Sequence, residues 1–318
     1  MTEWLIESGI GETRAVLIED GEIAEARILL DGIVPAGSVI AARLIDIGSG
    51  GRNGVARDDS GIEYLLPRAP VGLTEGSALH IEVTREAIPG SEPWKRPLAR
   101  TAEASSLSDA PALVGRRISF PAPRDELAGV GWCDLIEEAR SGVVRFRGGE
   151  LRVSVTPAMT LIDVDGALPP KDLALRGVEA AARAIRRHGI GGSIGIDLPT
   201  VQGKSERQTI GEALDAILPP PFERTAVNGF GFLQVVRPRR HASLFELAGD
   251  RVPFEARQLL RRGAVATGAA TLRVHPAVAA LLQSRPDWLD ALARQVGGEV
   301  RLRVDPGLPI SGGHVEQG

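Results

Sequence analysis

Residues 148–197 read GGELRVSVTPAMTLIDVDGALPPKDLALRGVEAAARAIRRHGIGGSIGID, and this stretch decides the fold. LRVSV and MTLIDVD alternate apolar and polar residues, the two-residue period of a strand with one buried face. Over Asp172 to His188, Leu175, Val178, Ala182 and Ile185 recur at helical spacing, and Gly189 offers a C-terminal stop. SIGIDL follows as a buried strand. Two strands joined by a helical crossover of this length are expected to be parallel and right-handed. Downstream, Glu206 to Leu218 reads as a second helix ended by Pro219, Pro220 and Pro221, with TAVNG and GFLQVVR as further strands. An α/β unit is therefore expected over 148–247.

Upstream, TRAVLIED and EIAEARIL flank the Asp20-Gly21 turn signal, so residues 13–30 read as a hairpin. Residues 37–100 carry short alternating segments (GSVIAARLIDIG, GVARDD, IEYLLP, SALHIEVTREA) without helical period, which predicts a small β-barrel or sandwich. Residues 101–129 are rich in Ala, Ser, Pro and Arg and read as a linker with one strand at RRISF; Gly131 to Arg140 reads as a helix. The C-terminal residues 256–318 suit a small α/β module, with ATLRVHP and EVRLRVD as strands and two short helices between them.

The chain has 318 residues, of which 43% are hydrophobic and 25% charged, within the range of globular proteins and long enough for more than one domain. No apolar stretch is long enough to span a bilayer and no signal peptide is visible, so a cytoplasmic protein without membrane contact is expected. Cys133 is the only cysteine, which excludes an intrachain disulfide and a cysteine-based zinc site, and it reads as a small core residue. The five histidines lack ligand spacing, so no zinc is expected. The net charge of −4 is unevenly spread: residues 1–35 hold eight acids, and residues 221–262 hold eight arginines. That asymmetry suits an acidic outer segment and a basic face able to meet phosphates.

Asp163 and Asp165 end one strand with both side chains on the same side, and Asp197 ends another. Ligands of open α/β sheets bind outside the carboxyl ends of strands. If the two strands are neighbours, three carboxylates converge there, a donor set suited to Mg²⁺ or Mn²⁺. Strand-end aspartates also serve as helix caps and turn formers.

The literal residues resemble a known family. GGELRVSVTPAMTLIDVDG, then VEAAARAIRRHGIGGSIGIDL, then GFGFLQVVRPRR are collinear with the catalytic core of the ribonuclease E/G family. ETRAVLIEDGEIAEARI resembles that family's opening hairpin, Gly37 to Thr101 its inserted OB-fold, and LRVHPAVAALL through EVRLRVD the C-terminal module of its shorter members. The resemblance implies an N-terminal hairpin segment (1–35), an OB-fold RNA-binding domain (36–103), a shortened linker or ribonuclease-H-like remnant (104–147), a DNase-I-like α/β catalytic core (148–247) and a small C-terminal α/β module (248–318). It implies a metal-dependent endoribonuclease acting on single-stranded RNA, with Asp163 and Asp197 as ligands of a catalytic Mg²⁺ and Asp165 in place of the motif's asparagine. RNA contacts are expected from Arg43, Arg52, Arg57, Tyr64, Lys95 and Arg96 in the barrel segment, with Tyr64 as a stacking residue. Arg237, Arg239 and Arg240 stand at the family's R-x-R position, where phosphate contact is expected.

Departures from the pattern are Pro157 for an acid, Thr200 for a second carboxylate, and the absence of the cysteines of the inter-subunit zinc link. Oligomers are therefore not expected to form through such a link. The short segment before Gly148 implies that the family's 5′-end sensor is missing and that cleavage is independent of 5′ phosphorylation. The alternative is an RNA-binding protein of the same fold with weak or no catalysis.

Overall fold

Alternation along the chain becomes three sheets and a barrel in the computed structural model, which describes residues 3–90, 94–102 and 107–317. The N-terminal strands β1 (Glu3–Ser8), β2 (Glu12–Glu19) and β3 (Glu22–Leu30) form an antiparallel meander. Asp20 and Gly21 both take positive φ (51° and 85°), as a two-residue hairpin turn between right-twisted strands requires. The hairpin expected over 13–30 is present, and β1 extends it by a strand.

Of the two architectures expected for residues 37–100, the chain forms the barrel. Strands β4 (Val39–Ile47), β5 (Gly54–Arg57), β6 (Glu63–Leu66), β7 (Ala78–Arg85) and β8 (Leu98–Thr101) close in the order β4-β5-β6-β8-β7. Leu44, Tyr64, Leu66, Ile81 and Val83 fill its interior. The chain then returns through β9 (Gly115–Ile118), which pairs in parallel with β1. The strand expected at RRISF within the linker is thus present as β9, and residues 103–106 of that linker lie outside the described residues. The sheet β3-β2-β1-β9 shares one core with helices α1 (Glu126–Gly129) and α2 (Trp132–Ser141). Helix α2 buries Trp132, Leu135, Ile136 and Ala139, while Cys133, expected in the core, is exposed.

The central sheet contains β10 (Val143–Phe146), β11 (Gly149–Val155), β12 (Thr160–Gly166), β13 (Gly192–Asp197), β14 (Glu223–Arg224) and β15 (Phe232–Arg237), ordered β10-β11-β12-β13-β15-β14. Strands β12 and β13 are parallel and joined by α3 (Pro170–Arg187), as their spacing predicts. TAVNG is not a strand: only Glu223 and Arg224, just before it, pair with β15. Helix α4 (Lys204–Ile217) packs beside α3. Ile162, Val164, Ile194, Ile196, Leu233 and Val235 are buried with Val178, Ala181, Ile185, Ile210 and Leu214 of these helices. The opposite face of the sheet carries Arg152, Leu161, Asp163, Asp165 and Asp197, all exposed.

Helix α5 (Leu244–Gly249) begins in a reciprocal cap between Ser243 and Glu246, and α6 (Arg251–Gly263) leads into the C-terminal module. There β16 (Ala270–Val274), helices α7 (Pro276–Ser284) and α8 (Pro286–Val296), β17 (Val300–Val304) and β18 (His314–Gln317) form a sheet ordered β17-β16-β18. Among the described residues no helix is long and apolar enough to cross a membrane.

The acidic N-terminus is not wholly an outer segment, because Glu7 and Glu12 are buried. Arg14 pairs with Glu7 and with Glu12 at 2.7 Å each, and all three side chains are buried. Arg257 donates to Glu12 at 2.8 Å, and Arg261 binds both Glu7 (3.0 Å) and Asp125 (2.9 Å), the N-cap of α1. Part of the arginine excess in 221–262 is thus neutralised inside the fold by the acids of β1 and β2. Breaking a buried pair leaves an uncompensated charge, whereas an exposed pair contributes little. Arg14→Ala is expected to lower unfolding free energy by about 3–5 kcal/mol. Arg301→Ala, which removes the exposed pair with Glu299, is expected to leave it essentially unchanged. Urea denaturation of the two variants checks the contrast.

Candidate functional site

Pleating decides which side chains reach the open face of the central sheet. Alternate residues of β12 face α3, so Asp163 and Asp165 share the other side; β13 presents Asp197 to that side while burying Ile194 and Ile196. The parallel register pairs Asp163 directly with Asp197. Neighbouring strands lie about 4.8 Å apart, so the two carboxylates project side by side. The row continues in both directions: Arg152 of β11 stands opposite Asp163, and Phe232 of β15 opposite Asp197. Asp165 pairs with Glu150 in the next row.

The electrostatics follow from that row. Desolvation first, and then the charges of Asp165 and Asp197, push the Asp163 carboxyl above the usual carboxylate range; the Val164 backbone N–H and Arg152 act in the opposite direction. Arg152 is itself held by Glu150, to which it donates at 2.6 Å. The pair Asp163/Asp197 therefore carries excess negative charge facing solvent, and a hard cation is the simplest species to relieve it. Asp165 stands one row beyond this pair on the same face, near enough for its charge to act on Asp163. Two carboxylates suit Mg²⁺, which keeps several waters and takes its remaining ligands from phosphate.

Beside the carboxylates lie aromatics that the sequence reading missed. Phe230 is 84% exposed in the loop leading into β15. Asn228 Oδ1 accepts from the backbone N–H of Phe230 (2.9 Å) and of Phe232 (3.0 Å), and the Thr200 hydroxyl donates to the Phe230 carbonyl (3.2 Å). The loop thus holds the Phe230 ring out next to the strand end that carries Asp197. A Cβ on Gly195 would come within 2.7 Å of the Phe232 ring and 2.9 Å of Leu161 Cδ2, so a glycine there lets those side chains lie across the open face. Phenylalanine between glycines in NGFGF was the available signal.

The barrel candidates divide. The register places Arg43 opposite Arg57 and Arg57 opposite Glu63, with Arg96 reaching the same carboxylate: Arg57 donates to it at 2.6 Å and Arg96 at 2.9 Å. Hydrogen bonds from Arg57 and Arg96 hold the Glu63 carboxyl below its usual range. Arg43 donates to the Gly76 carbonyl (2.6 Å), and Arg52 is exposed on the neighbouring loop. Two guanidinium groups around one carboxylate, with Arg43 beside them, leave this wall basic. Tyr64, expected as a stacking residue, is instead 1% exposed, and its hydroxyl donates to Asp58 (3.1 Å). It shares its strand face with Leu66 and fills the barrel, so it has no free ring face. Lys95 donates to the Pro157 carbonyl (3.1 Å), joining the barrel to the central sheet, and the adjacent Trp94 is 74% exposed.

Arg237, Arg239 and Arg240 sit away from the carboxylates. Asp197 pairs with Phe232 at the start of β15, whereas Arg237 pairs with Gly192 at its end. Five residues of strand separate the two positions by about 17 Å. Arg239 is committed to an ion pair with Glu246.

A carboxyl with a raised pKa makes the folded chain bind protons more readily than the unfolded one. The resulting penalty is absent below the unfolded pKa and grows as pH rises through the folded one. Asp163→Asn removes it. The variant's Tm in EDTA at pH 7 is expected to exceed that of the unmodified chain, with the gap closing as pH falls below about 4. A variant that melts lower at pH 7 would contradict the electrostatic account.

The chain matches no protein-family model, and no curated protein matches it.

Proposed function

We propose that this chain is a metal-dependent endoribonuclease that hydrolyses phosphodiester bonds of single-stranded RNA. The observation that carries the reading is the side-by-side placement of Asp163 and Asp197 on the open face of the sheet. These residues lie in the I-D-V-D and I-G-G-x-I-x-I-D segments that resemble the ribonuclease E/G core, and we read the central sheet as DNase-I-like on the same ground. Asp163 and Asp197 would hold Mg²⁺ or Mn²⁺, with Asp165 adding negative charge beside them. When bound, the ion would neutralise a phosphate and lower the pKa of an attacking water. Cleavage in line would leave a 5′-phosphate and a 3′-hydroxyl.

The chain's own residues account for the rest of substrate handling. Phe230 offers an exposed ring on which a base stacks, and stacking tolerates any base. The closed five-stranded barrel is consistent with an OB-like domain whose wall of Arg43, Arg52, Arg57 and Arg96 tracks phosphates. We place the activity in the cytoplasm, independent of the RNA's 5′ phosphorylation, and without a cysteine zinc link in any oligomer.

A second reading, an RNA-binding protein without efficient catalysis, is favoured by Pro157, Asp165 and Thr200, which stand where the family pattern carries an acid, an asparagine and a second carboxylate. A 5′-labelled single-stranded RNA incubated with Mg²⁺ or EDTA separates the two. Discrete products are expected with Mg²⁺, falling to background in EDTA and in Asp163→Ala and Asp197→Ala. Bound but uncut RNA moves the chain to the second reading, and RNA neither bound nor cut overturns both. Arg57→Gln is expected to weaken RNA binding across sequences and to reduce the slope of log affinity against log salt by about 1.

A further inference from the structure

At the end of β15 far from the carboxylates, a cavity of about 320 Å³ opens between β3, the end of α3 and the segment after β15. Four arginines line it: Arg27, Arg186, Arg237 and Arg240. Two have partners. Arg27 pairs with Glu25 at 2.6 Å, and Arg186 makes a two-pronged contact with Glu19 at 2.7 and 2.6 Å. Arg237 and Arg240 make no side-chain hydrogen bond or ion pair with any described residue, and Arg237 Nη1 is buried without a partner. The pocket therefore holds two cations more than its carboxylates neutralise.

An unpaired guanidinium that is partly withdrawn from water is costly, and chains retain one where an anion completes it. Burial pulls the Arg237 guanidinium below its usual pKa, with Glu25 opposing and Arg186 reinforcing, so these groups share one field. The carbonyl end of α3 would ordinarily repel an anion. Here the N–H groups of His188, Gly189 and Ile190 already bond back to Ala184, Arg186 and Ile185, which satisfies those carbonyls. Burial also pushes His241, on the pocket wall, below its ordinary pKa and toward the neutral form.

We propose that this pocket binds a phosphate dianion, free or as a phosphomonoester, with Arg237 and Arg240 as its donors and Arg27 and Arg186 setting the field. Guanidinium groups approaching from three chain segments suit a tetrahedral anion better than a planar carboxylate. Ile190, Pro221 and Pro238 add apolar lining to the same cavity, which suits a small organic group carried by the phosphate. The proposal is independent of the nuclease reading, because the pocket shares no residue with the carboxylate site.

Calorimetric titration of the full chain with inorganic phosphate in chloride buffer tests it. Saturable one-to-one binding is expected, weakened at least about tenfold in Arg237→Gln and several-fold in Arg240→Gln. Arg301→Gln, whose partner lies on the C-terminal sheet, is expected to bind as the unmodified chain does. Arg240 is exposed, so its variant keeps the test usable if Arg237→Gln fails to fold, which circular dichroism reports. Adenosine 5′-monophosphate binding more tightly than phosphate, with adenosine silent, identifies a phosphomonoester as the ligand; equal affinity identifies free phosphate. Absent binding, unchanged affinity in both arginine variants, or adenosine binding as well as its monophosphate overturns the proposal.

Discussion

Arg14 is the centre of a buried ion-pair network that joins β1, β2, α1 and α6. It sits between Glu7 and Glu12, and those carboxylates in turn receive Arg261 and Arg257 of α6, while Arg261 reaches back to the cap of α1. Buried ions are tolerated only when every charge is met, so β1, β2, α1 and α6 have little freedom to shift against one another. The barrel depends on the same lock. It is inserted between β3 and β9, both in the sheet that the network holds, so its two ends are anchored to one rigid layer.

The central sheet separates the work of folding from the work of the site. Its covered face is apolar and packs on α3 and α4; its open face collects Asp163, Asp165 and Asp197 without a matching set of cations. Arg152, the nearest arginine in the row, is shared with Glu150. The desolvation and repulsion that raise the Asp163 pKa are offset by apolar burial on the opposite side of the same strands, where Ile162 and Val164 meet the helix. A rigid strand pair can hold like charges together in a way that a loop cannot, and a cation site requires such preorganisation.

Much of this was legible in one dimension. Asp163 and Asp165 were placed on one side of a strand by counting residues, and the parallel pairing of β12 with β13 followed from the helix between them. Tyr64 was misread although its own strand carried the answer. In E-Y-L-L, Tyr64 and Leu66 share a face, and Leu66 is a core residue, so the tyrosine had to point inward as well. The arginines of residues 221–262 were counted correctly, but not matched to their partners. Glu12 and Arg257 are 245 residues apart, and no local pattern connects them.

Period and turn chemistry are local, so the sequence by itself determined the strands, the helices, the hairpin at Asp20-Gly21 and the side of β12 on which its aspartates stand. Only the tertiary structure decided that β9 joins β1, that Glu7 and Glu12 are buried against α6, and that Arg237 and Arg240 find no side-chain partner among the described residues, far from the carboxylates. Those outcomes depend on which charges meet after the chain has closed loops of tens to hundreds of residues. Coulombic pairing inside a protein is set by distance and burial, and neither quantity is written in the spacing along the chain.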